Sequence, residues 1–149
     1  LKPGRLFAAA CVLGRGSVEP AGGEAIGRFG HRIGIAFQLL DDVLDISGPP
    51  ERTGKARGTD LLDGTVTLPL IDAIRTDAGL AEIDLRALDA EGAAAVCDRI
   101  EATGALDRVR ATAIGLIERA KADLDGLGIE PGQRELLELI ADGVVSRYS

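Results

Sequence analysis

Three aspartates stand close together in an otherwise apolar stretch of the sequence, "GIAFQLLDDVLDI". Asp41, Asp42 and Asp45 lie within five residues of one another. On a helix, residues three and four apart share a face, so these side chains would project with Gln38 into one sector. Like charges at that spacing repel, and burying them costs several kcal/mol unless a cation offsets the charge. Mg²⁺ fits best, because it binds through one or two carboxylates and completes its octahedron with water and substrate phosphate.

The loop that follows the aspartates supplies a positive charge. In "TGKARG", Lys55 lies between Gly54 and Gly58. Glycines permit a close backbone approach to a ligand, and a lysine acts as a point charge for phosphate. Taken with the aspartates, this loop predicts a magnesium-held diphosphate. Two alternatives stay open: the aspartates form a solvated acidic face of a plain helical bundle, and Lys55 is an idle surface lysine.

Glycine and proline divide the sequence into helices that would position these side chains. Asp89 and Thr67 precede apolar-periodic segments as helix N-caps, and proline begins other helices. The segment "SGPPERTGKARGTDLLDG" predicts a long loop, of the length typical of lids or binding loops. No strand signal or internal repeat is present, so an all-α bundle is predicted. The predicted helices run over about 3–13, 24–46, 68–75, 90–103, 106–124 and 131–148.

Composition narrows the classes of function. The 149 residues favour one domain, and a net charge of −7 argues against a nucleic-acid partner, which requires clustered Lys and Arg. Cys11 and Cys97 are too few for a disulfide framework, and no apolar run is long enough to span a membrane. We therefore expect a cytoplasmic protein with free thiols. His31, the single histidine, precedes Asp41 by ten residues and is expected on a helix face and not as a metal ligand.

These segments together resemble the trans-isoprenyl diphosphate synthases, or polyprenyl synthetases. "GIAFQLLDDVLD" is similar to the family's second aspartate-rich motif, and "GKARGTDLLDGTVTLPL" to the segment after it. "LKPGRLFAAACVLG" is similar to the upstream lysine-containing helix, and the last 30 residues resemble the C-terminal helices. The resemblance covers nearly the whole chain and implies the all-α isoprenoid synthase fold around a deep cavity, usually as a homodimer.

The resemblance also implies an activity and its residues. The family's enzymes join isopentenyl diphosphate to an allylic diphosphate with Mg²⁺. Asp41 would coordinate a magnesium ion that bridges the allylic diphosphate, with Asp42 and Asp45 completing the acidic motif directly or through water. Gln38 would line the same site. The two lysines that match family residues in contact with the diphosphate leaving group are Lys2 and Lys55.

The sequence departs from the family pattern in places. Pro3 stands where the family usually has threonine, and Thr65 where it has lysine. The family's first aspartate-rich motif belongs upstream of Leu1, and the sequence has no methionine. We therefore expect residues 1–149 to be the C-terminal part of a single synthase domain that lacks its N-terminal helices. Such a piece would be catalytically silent alone and would pair with that missing half or self-associate through exposed apolar surface.

A non-catalytic or degenerate diphosphate-binding subunit that acts through a partner chain is the alternative. Pro3 and Thr65 are the residues that favour it. The length of the prenyl product is set near the first motif and is therefore left open.

Overall fold

The fold of the chain is all-α, as predicted, in the residues that a computed structural model describes: 2–15, 20–48 and 57–146. No strand occurs in these ranges. Two short 3₁₀ turns, Ala78–Glu82 and Leu85–Ala87, separate the fourth and fifth helices. The helices are α1 (Lys2–Arg15), α2 (Pro20–Ser47), α3 (Thr59–Leu62), α4 (Leu68–Ile74), α5 (Ala90–Ala102), α6 (Ala105–Asp123) and α7 (Pro131–Ser146).

The helix boundaries follow the capping signals of the sequence. The Asp89 carboxylate accepts a hydrogen bond from the Gly92 N–H (2.8 Å) at the start of α5, as an N-cap does. Thr67 precedes α4 in extended conformation with Pro69 in the first turn, although its hydroxyl makes no cap hydrogen bond. Gly104 follows α5 with a φ of 71°. The left-handed conformation that ends a helix is cheapest for glycine.

One predicted loop contains a helix. The segment 47–64 was expected to be irregular throughout, but Thr59–Leu62 forms the single turn α3, which begins after Gly58 in the left-handed region. Leu61 of this turn is fully buried in a core with Val43 and Val96. Burial of one leucine, which contributes about 1.5–3 kcal/mol, outweighs the poor intrinsic stability of so short a helix.

The chain forms two compact units. The first unit consists of residues 1–38 and 112–149, and the second unit of residues 39–111. α2 and α6 each contribute residues to both units. The expectation of one domain over residues 1–149 stays a prediction. The core of the second unit contains Val43, Ile46, Leu61, Leu70, Ala73, Leu80, Val96, Cys97, Ile100, Ala105, Leu106 and Val109.

In the first unit, α1 and α2 cross in backbone contact. A Cβ atom built on Gly30 would lie 2.5 Å from the Phe7 carbonyl oxygen, and one on Gly34 would lie 2.7 Å from the Gly4 Cα. Only glycine permits this approach. The rings of Phe7 and Phe37 pack beside the crossing with centroids 6.1 Å apart. The start of α1 therefore packs against α2 at Gly34, which lies one helical turn before Gln38.

None of the helices described here combines the length and the apolar composition that a membrane span requires.

Candidate functional site

The aspartates lie on the C-terminal part of α2, where apolar neighbours anchor the helix in the second unit. Val43 and Ile46, which flank the aspartates, are 2% and 1% exposed. Asp41 is exposed and Asp45 is half-buried. Asp42 is 8% exposed, which is unusual for a carboxylate and costly without compensating charge or hydrogen bonds.

Asp45 holds the chain segment that returns to α2 after the predicted loop. Its two carboxylate oxygens accept hydrogen bonds from the backbone N–H groups of Thr59 and Asp60, each at 3.1 Å. Its backbone carbonyl accepts a third hydrogen bond, from the Gly58 N–H at 2.9 Å. One residue of the acidic motif thus fixes residues 58–60.

Arg57 fixes the same segment through its guanidinium group. It donates to the Ile46 carbonyl at the end of α2 and to the carboxylates of Asp98 and Glu101 on α5. Gly58 follows with a φ of 76°, and a Cβ on it would lie 2.9 Å from the Cys97 sulfur. Burial raises the pKa of the Cys97 thiol to about 11, so this thiol stays protonated at neutral pH.

Asp60 joins the aspartates as a fourth carboxylate that the sequence reasoning missed. Burial and, after it, the negative charges of Asp45, Asp42, Asp41 and Asp63 together raise its pKa from 3.8 to about 6. Asp60 is the aspartate of "RGTD" in the sequence. It was not grouped with the other aspartates because it lies 15 residues after Asp45. The raised pKa means that burial and the neighbouring negative charges disfavour the ionised form of Asp60.

The roles of the other predicted site residues stay predictions, and their places in the chain are these. Lys55 lies outside the described residues. Lys2 lies in the first turn of α1, and Gln38 lies half-buried on α2, at the end of the first unit's share of that helix. His31 is exposed on α2, as expected for a helix-face residue. Cys11 and Cys97 are free thiols.

The carboxylates suit a hard divalent cation but do not enclose one. Within residues 2–15, 20–48 and 57–146, no three His, Cys, Asp or Glu side chains are arranged to hold a metal ion. Mg²⁺ typically takes only one or two carboxylates and fills its remaining positions with water and phosphate oxygens. Asp41 and Asp42 are therefore carboxylates of the kind that would hold such an ion, with a ligand phosphate and water completing its coordination.

Comparison with known proteins places the chain in a family context. A model of the polyprenyl synthetase family matches residues 1–97. Geranylgeranyl diphosphate synthase of Methanosarcina mazei is 38% identical over 144 residues, which are 95% of this chain and 44% of that protein. Heptaprenyl diphosphate synthase component 2 of Geobacillus stearothermophilus is 37% identical over 144 residues, 93% of this chain and 44% of that protein.

Solved structures of polyprenyl and heptaprenyl diphosphate synthases share the fold of this chain. The polyprenyl synthase from Caulobacter crescentus CB15, crystallised with calcium and isoprenyl diphosphate, superposes with a TM-score of 0.84 and 38% identity. The match covers 97% of this chain and 46% of that one. A heptaprenyl diphosphate synthase from Staphylococcus aureus, 23% identical, shares the fold with a TM-score of 0.86. The chain thus spans about half the length of the relatives it matches.

Proposed function

The chain belongs to the polyprenyl synthetase family, and on that premise we propose that it is part of a prenyltransferase that condenses isopentenyl diphosphate with an allylic diphosphate. The observation that carries this proposal is the partly buried Asp60, whose pKa is raised by burial and by the negative charges of Asp45, Asp42 and Asp41, charges that a divalent cation would offset. The protein from Caulobacter crescentus was crystallised with calcium and isoprenyl diphosphate, which supports a divalent cation as cofactor. Magnesium is the proposed ion, and a homodimer is the proposed assembly.

The carboxylates hold the cation, and the lysines act on the leaving group. When bound, Mg²⁺ stabilises the negative charge that develops on diphosphate as the allylic C–O bond ionises. Asp41 binds this cation, with Asp42 and Asp45 completing the acidic group directly or through water. Lys2 and Lys55 contact the diphosphate and stabilise its developing charge, and Gln38 lines the site. The double bond of isopentenyl diphosphate then attacks the allylic cation, and a proton is lost to the departing diphosphate.

A calorimetric titration tests the binding step on the 149-residue chain. We expect inorganic diphosphate to bind in the presence of MgCl₂ and not in its absence. Asp41→Asn should weaken this binding by about 10- to 100-fold, because a neutral amide replaces a charged ligand. A plain helical bundle with an acidic face would take up no diphosphate under either condition, and that result would refute the proposal.

Turnover distinguishes an enzyme from the second candidate, a non-catalytic subunit. Pro3 and Thr65 favour that candidate, and one relative is itself named as component 2 of a synthase. We propose that the chain alone does not elongate farnesyl diphosphate, and that adding the other half of a family protein in trans restores labelled isopentenyl diphosphate incorporation. Restored turnover that Asp41→Asn abolishes identifies the enzyme. Turnover that survives the substitution identifies the subunit.

A further inference from the structure

The Asp45 side chain is bound by backbone groups of the protein itself. Both carboxylate oxygens accept backbone N–H groups, those of Thr59 and Asp60. Hydrogen bonds from N–H groups to a carboxylate are charge-assisted and stabilise the anion. Asp45 therefore has its negative charge compensated in the absence of any cation, whereas the charge on Asp60 is opposed by its neighbours.

Arg57 anchors the same segment from the opposite direction. Its guanidinium donates to the carbonyl of Ile46, the residue after Asp45, and to Asp98 and Glu101 on α5. The Arg57 side chain is only 23% exposed, and its guanidinium donates to three acceptors. These three hydrogen bonds fix Arg57, and with it the start of the segment 57–60, beside the end of α2.

We propose that Asp45 and Arg57 form a clasp whose role is positioning: it fixes the segment 57–60 against the C-terminal end of α2 and so holds Asp60 at the helix that carries the other aspartates. Of the direct and indirect roles left open for Asp45 in the proposed function, this inference assigns the indirect one: Asp45 acts on the cation through the position of Asp60. This inference rests on the proposed function only for the identity of the bound cation, because the clasp itself is formed without one.

Two variants open the clasp by different routes. Asp45→Asn places an NH₂ donor against a backbone N–H donor, so one of the two hydrogen bonds is lost and a repulsive contact replaces it. Arg57→Gln removes the three guanidinium hydrogen bonds and leaves every aspartate of the acidic group in place. A phenotype shared by both variants therefore belongs to the clasp and not to the loss of a carboxylate.

Two matched variants serve as controls. Asp41→Asn removes a carboxylate from the same helix, one turn before Asp45, without touching the clasp. Arg99→Gln removes an arginine of α5 in the same unit that pairs with Asp77 at 2.7 Å. The measurements are hydrogen exchange of the Thr59 and Asp60 amides without metal, and the affinity for inorganic diphosphate with MgCl₂.

The clasp predicts a specific pattern across the four variants. Exchange of the two amides should accelerate about tenfold in both clasp variants, since each loses a charge-assisted hydrogen bond, and should stay unchanged in both controls. Affinity for magnesium diphosphate should fall in both clasp variants, whereas Arg99→Gln keeps wild-type affinity. That second readout separates positioning from a general loss of stability.

Other outcomes would overturn the inference. If Asp45→Asn abolishes magnesium uptake while the Thr59 and Asp60 amides exchange at the wild-type rate, Asp45 is a metal ligand. If Arg57→Gln leaves the affinity unchanged, the segment needs no clasp. If the wild type itself binds no magnesium diphosphate, the proposed function fails, and the exchange rates alone still decide whether the clasp exists.

Discussion

At the scale of single residues, Asp60 reports the electrostatic cost of the acidic group most directly. Its pKa is about 6, against 3.8 normally, because it is partly buried and faces Asp45, Asp42, Asp41 and Asp63. In the unfolded chain the same carboxyl titrates near pH 4. Between about pH 4 and pH 6 the folded protein therefore retains a proton that the unfolded chain has lost, and the free energy of unfolding falls as pH rises.

Asp60→Asn should remove this part of the pH dependence. We expect the urea midpoint of the metal-free wild type to fall relative to that of Asp60→Asn between pH 4 and pH 6, and the difference to level off above pH 6. Adding MgCl₂ at pH 7 should restore more stability to the wild type than to the variant. Parallel curves for the two proteins across this range would contradict the assignment.

Gly58 is constrained both by its backbone and by its surroundings. A residue with a side chain at a φ of 76° costs about 1–2 kcal/mol, and a Cβ there would also meet the Cys97 sulfur at 2.9 Å. Gly58→Ala should therefore reduce the free energy of unfolding by more than Gly64→Ala. Gly64 has a φ of 70°, but the nearest atom to its Cβ, on Arg86, is 3.9 Å away.

A double-mutant cycle separates the two contributions at Gly58. In a Cys97→Ala background the steric part is relieved and the backbone part remains, so Gly58→Ala should cost about as much as Gly64→Ala. Equilibrium urea unfolding of the single and double variants measures each cost. Equal costs for Gly58→Ala with and without Cys97 would show that the sulfur contact is unimportant.

The predictable part of the candidate site was the part that is local in the chain. Asp41, Asp42 and Asp45 were grouped correctly on a helix because helical periodicity alone brings them together. Arg57 and Asp60 contact residues of α2 that lie 11 and 15 positions earlier in the chain, and no periodicity encodes contacts of that kind. The hydrogen bonds of the Asp45 carboxylate could not be predicted for the same reason, because their donors, Thr59 and Asp60, lie 14 and 15 residues away in the chain.

At the scale of elements, the crossing of α1 and α2 depends on two glycines. Cβ atoms on Gly30 and Gly34 would overlap backbone atoms of Phe7 and Gly4, which cannot rotate away as a side chain can. Gly30→Ala and Gly34→Ala should each destabilise the protein by about 1–3 kcal/mol, the usual cost of overpacking. Gly23, also in α2, has open space around its Cβ position, so Gly23→Ala should stabilise by up to ~1 kcal/mol.

Urea unfolding of these three variants tests the crossing. Stabilisation by all three substitutions would mean that helix propensity dominates and that the two helices are not in backbone contact. Destabilisation confined to Gly30→Ala and Gly34→Ala would support the contact.

Most helices were predictable because their apolar residues recur every three or four positions and their ends carry caps. Asp89, Thr67 and Pro131 marked the starts of α5, α4 and α7 within one residue. The single turn α3 and the two 3₁₀ turns are too short for any periodicity. α3 forms because Leu61 is buried in the core and Gly58 adopts the left-handed conformation. Both features depend on the tertiary structure, so the local sequence does not predict them.

At the scale of the whole molecule, the first unit leaves apolar side chains unburied. Leu13 of α1 is 80% exposed, and Leu139 of α7 is 66% exposed. Leu6 and Leu136, on the same two helices, are also exposed, and a cavity of about 600 Å³ between these helices is lined mainly by apolar residues. Large exposed apolar patches promote association. We expect the 149-residue chain to self-associate through this surface.

A charged pair of substitutions tests this expectation. Each leucine buried on association contributes about 1.5–3 kcal/mol, so Leu13→Lys with Leu139→Lys should weaken self-association by at least about tenfold. Sedimentation velocity over a range of concentrations measures the change. Ile71→Lys, at an exposed apolar position of α4 in the second unit, is the control and should leave association unchanged. A wild-type protein that sediments as a monomer at every concentration would contradict the expectation, because the exposed leucines would then drive no association.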